Sequence, residues 1–206
     1  MKSLYWRTLK ETLAAGYEHI GALMAANILF VLASLPLVTL PATIPMLGAA
    51  VASISKGEKP SWKALWHCAG RYYINGGLLF LSAAGTAAIL IADLYILGRM
   101  VPSHPGVACL ALGFVICFSL TWILMQIYLL PLFLSDPSAA CKALRNSFLL
   151  VLDNFGLSVA IASTMLMVAL VMVLSGVGPF VLMVSFLLLL QQRLFANLME
   201  RYHEQR

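Results

Sequence analysis

The chain has 206 residues, of which 62% are hydrophobic and only 10% charged, with a formal net charge of +5. A soluble domain of this size typically carries about 25% charged residues, so the composition excludes an ordinary water-soluble fold and points to an all-α bundle in a bilayer. The length suits one domain, and no polar linker divides residues 1–206 into a second folded unit.

The chain opens with an amphipathic segment in which Tyr5, Leu9 and Leu13 recur at helical spacing among Lys2, Arg7 and Lys10. Basic residues ahead of an apolar run also mark a secretory leader. Here the apolar run, residues 20–40, is long enough to span and is expected to stay uncleaved. Residues 41–55, flanked by Pro41 and interrupted by Pro45, reach only about 21 Å, so a short crossing, a re-entrant hairpin and a buried turn all fit. Residues 61–73 follow, with Trp62, Leu65, Trp66, Ala69 and Tyr73 on one face and Lys63, His67 and Arg71 on the other. That pattern predicts a helix lying in the interface, capped by Ser61. Crossings over residues 74–98 and 106–134 come next, the latter closed by Pro131 and Pro137. A second in-plane helix is expected from Asp136, with Asp as cap, Pro137 in the first turn and an apolar stripe of Cys141, Leu144 and Phe148. The last crossings are residues 149–174 and 177–194.

Charge sets the orientation. If residues 41–55 cross, twelve of the thirteen Lys and Arg share one face, with Arg99 alone opposite. Cytoplasmic loops carry the Lys and Arg excess, so six crossings with both termini in the cytoplasm are expected. Five crossings would instead leave a strongly basic external loop. A weak internal repeat accompanies this plan: Leu9, Leu65 and Leu144 each precede a glycine, Gly21, Gly77 and Gly156, by twelve residues, and Asn75 matches Asn154. Each unit would be an interfacial helix followed by an outgoing and a returning crossing. The small-residue spacings Ala83/Ala87, Ala84/Ala88 and Gly156/Ala160 are read as packing contacts inside the bundle.

Few polar groups interrupt the apolar runs. Asn27 and Gln126 each lie about 10 Å from the cytoplasmic end of their crossing and are placed to meet across the bundle, first of all as a helix–helix hydrogen bond. Asp93 and Arg99 sit near the outer end of the third crossing, where headgroups and water suit them. Pro36, Pro41 and Pro45, with Thr43, break the first hairpin in a way that either makes a tight turn or frees carbonyls to line a path. Lys63, Arg71, Lys142 and Arg145 are the interfacial cations, explained by orientation and anionic lipid without invoking nucleic acid. Cys68, Cys109, Cys117 and Cys141 are scattered, the four histidines are dispersed, and no hydrolase, metalloprotease or phosphate-loop motif occurs. Neither an enzyme activity nor a cofactor or metal is expected.

Asn27-Ile-Leu-Phe30, the run from Ser34 to Thr43 with its Pro41-Ala-Thr43 element, Lys56-Gly-Glu58, the stretch from Trp62 to Tyr73, and Ala143 to Phe148 leading to Asn154 resemble the YesL family of small bacterial membrane proteins. The resemblance covers most of the chain. It implies a bacterial inner-membrane protein linked with carbohydrate uptake, and it supplies no active-site residues. Two readings follow. In the first, the bundle is an accessory component that docks a sugar-transporter permease or ATPase subunit. In the second, it is a small carrier or channel whose path is lined by Asn27, Gln126 and the proline-broken hairpin. Besides lipid, a second copy of the chain is a partner compatible with either.

Overall fold

The computed structural model describes residues 2–36, 39–58, 62–100, 105–135, 140–176 and 178–204. Helices account for nearly all of them: α1 (Lys2–Glu18), α2 (Ile20–Ser34), α3 (Leu40–Ser55), α4 (Trp62–Met100), α5 (Pro105–Ser135), α6 (Ala140–Asp153), α7 (Phe155–Leu174) and α8 (Val184–Glu204), the last preceded by a π-helical turn over Pro179–Met183. Four stretches are long and apolar enough to cross a membrane, Ala83–Met100, Gly106–Ser135, Phe155–Leu174 and Pro179–Glu204, and the bent α1–α2 pair makes a fifth if taken as one span. The chain is thus an all-helical protein of membrane type.

Several boundaries differ from those expected. The first crossing ends at Ser34 rather than near residue 40, because Pro36 turns the chain and Thr39 fastens the turn, its N–H reaching the Pro36 carbonyl at 2.8 Å and its hydroxyl the Ala33 and Pro36 carbonyls. That leaves α2 and α3, with 15 and 16 residues, at about 22 and 24 Å long. No break separates residues 61–73 from the crossing behind them: α4 is one helix of 39 residues, about 58 Å. Polarity changes at Tyr73, but nothing there prevents the helical hydrogen bonds from continuing. Pro131 does not close α5, which runs on to Ser135. The expected crossing at residues 149–174 instead begins at Phe155, after a break at Asn154 (φ −122°, ψ 39°), which mirrors the break at His19 (φ −111°, ψ 21°) where α1 and α2 bend by 84°. The caps assigned to Ser61 and Asp136 and the side chains of Lys63 and Arg71 lie outside the described residues.

The faces that α1 and α6 bury are made largely of small residues. In α1, Thr8, Thr12 and Gly16 point inward while Leu13 is 55% exposed; in α6, Ala143, Ser147 and Val151 point inward while Cys141 and Phe148 are exposed. In a bilayer the outside is itself apolar, so small and self-satisfied residues go in and large apolar ones face out. Thr12 donates to the Thr8 carbonyl and Ser147 to the Ala143 carbonyl, each at 2.7 Å, so neither buried hydroxyl is left unpaired. Small residues in α4 are not packed inside: Ala84, Gly85, Ala87 and Ala88 are exposed, and no residue of Ala83–Met100 is buried.

The core has two main parts. Leu4, Tyr128, Ile161, Leu190, Leu194 and Leu198 join α1, α5, α7 and α8, while Leu23, Leu47, Val51 and Leu189 join α2, α3 and α8. α3 ends in a left-handed Gly57 (φ +76°), a conformation glycine adopts without the steric cost of a Cβ. Arg193 Nη2 on α8 donates to the Ser55 carbonyl at 2.7 Å. Farther along α8, Glu200 pairs with Arg7 at 2.8 Å, and Tyr202 meets Asn154 at 2.8 Å. The end of α3, α1 and the α6–α7 junction therefore all converge on the C-terminal half of α8.

Candidate binding cavity between α3, α4 and α5

Proline inside a helix removes one donor, and the carbonyl four residues earlier loses its partner. Pro45 lies within α3, so the deprived carbonyl is that of Pro41. On α4, Gly76 faces this point so closely that a Cβ added to it would stand 2.6 Å from the Pro41 oxygen. Only glycine fits there, and its Cα–H is at best a weak partner for that carbonyl. Beside this contact a cavity of about 140 Å³ opens. Pro41, Ile44 and Pro45 form one wall, Gly76, Phe80 and Ala83 a second, and Gln126, Leu129, Leu130 and Phe133 of α5 the third.

α5 is held in place at its C-terminal end. The Tyr72 hydroxyl donates to the Leu134 carbonyl at 3.1 Å, its ring meets Phe133 edge-on at 5.3 Å, and Leu130 and Leu134 close over Gly48 of α3. This fixes Gln126, whose Nε2 is buried and has no hydrogen-bond partner. A buried amide donor without an acceptor is costly, so one unmet polar demand lies beside the otherwise apolar cavity. Among the described residues no ionisable side chain borders it.

Pro41, Pro45 and Gln126 thus meet at one cavity. The other expected path residues do not join them. Thr43 lines a wider groove of about 530 Å³ on the other side of α3, with Thr39, Met46, Trp66 and Tyr73, and its hydroxyl is committed to the Leu40 carbonyl at 3.2 Å. Pro36 sits exposed at the hairpin tip. Asp93 is half-buried and Arg99 exposed on the free end of α4, where the Arg99 guanidinium lies 4.7 Å from the centre of the Tyr95 ring. Lys142 and Arg145 are exposed on α6.

Asn27 does not meet Gln126. It is fully buried against the π-helical turn before α8: Nδ2 donates to the Phe180 carbonyl at 2.8 Å and to that of Pro179 at 3.3 Å, and Oδ1 accepts from the Ser185 N–H at 3.0 Å and the Ser185 hydroxyl at 3.3 Å. The wide turn begins at Pro179 and leaves these groups without helical partners, which Asn27 replaces.

A second polar cluster, unforeseen from the sequence, ties α1 to α8. Asn197 donates to Glu11 at 2.9 Å and to Thr8 at 3.2 Å, while Arg7 bridges Glu11 and Glu200. Partial burial pushes the Glu11 carboxyl up, but the hydrogen bonds from Asn197 and Arg7 outweigh it and hold the group below the usual carboxylate value. Gly76, Phe80 and Phe133 also escaped sequence reasoning; the i, i+4 spacing of Pro41 and Pro45 was the signal that a wall begins there. No family model matches the chain, and no curated protein or solved structure matches it either.

Proposed function

We propose that this is a six-crossing membrane protein with both termini cytoplasmic, and that it binds a small molecule in the α3–α4–α5 cavity, acting as a small carrier or channel. The observation that carries the reading is the meeting of Pro41, Pro45 and the partnerless Gln126 amide at one cavity. The Arg193 bond to Ser55 supports the sidedness, since through it the Lys56 end of α3 shares a region with Arg7 and Glu200. At about 22 and 24 Å, α2 and α3 cross only where the bilayer thins or flanking residues snorkel. Impermeant thiol reagents should label cysteines placed at Lys10 and at Lys56 from the same side; labelling from opposite sides rejects six crossings.

Binding is tested on purified protein in lipid nanodiscs with a panel of small molecules. A ligand that raises the melting midpoint of the native protein should lose that effect in Ala83→Phe, which fills the cavity. If no compound acts through the cavity, the reading fails.

The matching registers support an ancestral repeat for the first and third units: Thr8, Thr12 and Gly16 correspond to Ala143, Ser147 and Val151, and the breaks at His19 and Asn154 fall at equivalent positions. The middle unit would be the one in which the break was lost.

One observation favours the accessory reading as a second function. A Cβ on Gly85 would touch nothing within 4 Å, and with Ala84, Ala87 and Ala88 it forms a bare small-residue surface of the kind that lets membrane helices approach closely. Together with the YesL resemblance, this supports docking in a bacterial inner membrane against a sugar-transporter permease. Copurification of a permease or ATPase subunit from native membranes is the expected result, and recovery of the protein alone counts against it.

A further inference from the structure

We infer that the groove between α2, α3 and α4 is a site for one anionic phospholipid, its acyl chains in the groove and its phosphate among the cations of residues 56–71. The groove lies apart from the α3–α4–α5 cavity, so the inference stands without small-molecule binding there. The lining sets the chemistry. Ala33 of α2, Ala42 of α3 and Gly70 of α4 are small, and among Met46, Trp66 and Tyr73 they leave a groove of about 530 Å³. A Cβ on Gly70 would meet nothing within 4 Å, and Trp66 and Tyr73 are 73% and 44% exposed, so the groove stands open at the surface. The hydroxyls at its hairpin end are committed to the backbone: Thr39 donates to the Ala33 and Pro36 carbonyls, and Thr43 to that of Leu40. With those donors taken, hydrocarbon is the class that fits the wall. Size and shape narrow the choice. A cavity of about 150 Å³ takes up benzene, so on the same footing a groove of about 530 Å³ holds roughly twenty carbons. From Trp66 to Tyr73 it runs about 10 Å along α4, which leaves a section of about 50 Å², roughly half that of a partner helix about 10–12 Å across. The paired chains of one phospholipid fill such a short, broad groove; a helix does not enter it. Charge sets the headgroup. Residues 56–71 carry Lys56, Lys59, Lys63 and Arg71 against one acid, Glu58. Lys56 is exposed at the C-terminal end of α3, and Trp66, with its indole N–H, lies at the rim one turn into α4. Clustered cations at a bilayer surface favour anionic over zwitterionic headgroups, and Trp anchors at headgroup level.

The test is native mass spectrometry of the full-length protein released from nanodiscs that hold phosphatidylglycerol and phosphatidylethanolamine in equal amounts, with the same acyl chains. The expected result is one retained phosphatidylglycerol, in roughly tenfold preference to phosphatidylethanolamine. Lys56→Gln combined with Lys63→Gln should bring the preference close to parity while a lipid is still retained. Gly70→Leu, which fills the groove from an open position, should remove the retained lipid, and Ala42→Leu gives the same reading should Gly70→Leu not fold. Glycerol 1-phosphate in excess should displace nothing, because a headgroup without chains leaves the groove empty. No retained lipid, equal retention of the two lipids by the native protein, retention unchanged in the filled-groove variants, or displacement by glycerol 1-phosphate overturns the inference. None of these outcomes touches the cavity, which is tested by its own ligands and by Ala83→Phe.

Discussion

Two regions of the bundle meet the same problem in opposite ways. Both contain an irregular helix beside a proline, the π-helical turn that starts at Pro179 and the stretch of α3 around Pro45, and both lie near a carboxamide on an apolar helix. Around Asn27 the amide closes the gap, with all four of its bonds going to the Pro179–Ser185 stretch. Around Gln126 the freed Pro41 carbonyl lies against Gly76, and the amide nitrogen is buried beside a cavity without a partner. A helix defect filled from within holds the bundle together; one left open is where an outside molecule can make the missing contact.

Removing the plug should have the largest effect. Asn27→Leu strands the Ser185 N–H and the carbonyls of Pro179 and Phe180 in an apolar interior, and the expected loss is about 2–4 kcal/mol, read as a lower melting midpoint in detergent. If Asn27→Leu melts with the native protein, the two regions are not different in kind. Next in size is Gly76→Ala. Its Cβ would stand 2.6 Å from a backbone oxygen, which no rotamer change relieves, so about 1–3 kcal/mol is expected. Pro45→Ala returns a donor to the Pro41 carbonyl and draws it back toward the α3 axis. Gly76→Ala should therefore cost less in that background, and additivity in a double-mutant cycle would remove Pro45 as the cause of the close approach.

Gln126→Leu sharpens the contrast from the other side. Because its Nε2 has no partner to lose, the substitution should be neutral or stabilising by up to about 1 kcal/mol in ligand-free protein. A loss as large as that of Asn27→Leu would mean that Gln126 holds the fold in a way its surroundings do not reveal.

What was legible beforehand followed from the same contrast. Apolar runs located the membrane helices, because hydropathy and length are all a crossing requires. Hydropathy could not see the turn at Pro36, since the apolar residues Leu35, Leu37 and Val38 continue through it, nor the continuity of α4, since a change from polar to apolar side chains at Tyr73 places no demand on the backbone. On α1 and α6 the stripes read as interfacial leave Leu13, Cys141 and Phe148 exposed, whereas Thr8, Thr12, Ala143 and Ser147, which are buried in the helix contacts, carry no hydropathy signal. Pro41, Pro45 and Gln126 stood out as exceptions in apolar surroundings. Phe80 and Phe133, which complete the cavity, look in sequence like any lipid-facing aromatic, and only the packing of three helices separates them.

The smallest effect expected is at a third amide, Asn197, which is satisfied neither by a defect nor by a cavity but by a charge. It donates to Glu11, half-exposed at the α1–α8 seam, and with Arg7 it holds that carboxyl below its ordinary value. A depressed carboxyl contributes stability that is fully present above its unfolded value of about 4.3 and is lost as pH falls through the lower folded value. The melting midpoint should therefore be flat near neutrality and fall in the acid range, and Glu11→Gln should flatten part of that fall while changing little at neutral pH, because exposed pairs are screened by water and salt. Asn27→Leu, by contrast, should lower the midpoint equally at every pH, since nothing in its neighbourhood titrates. An acid slope unchanged by Glu11→Gln would move the titrating group elsewhere and leave the α1–α8 seam held by packing of Leu4, Leu194 and Leu198 alone.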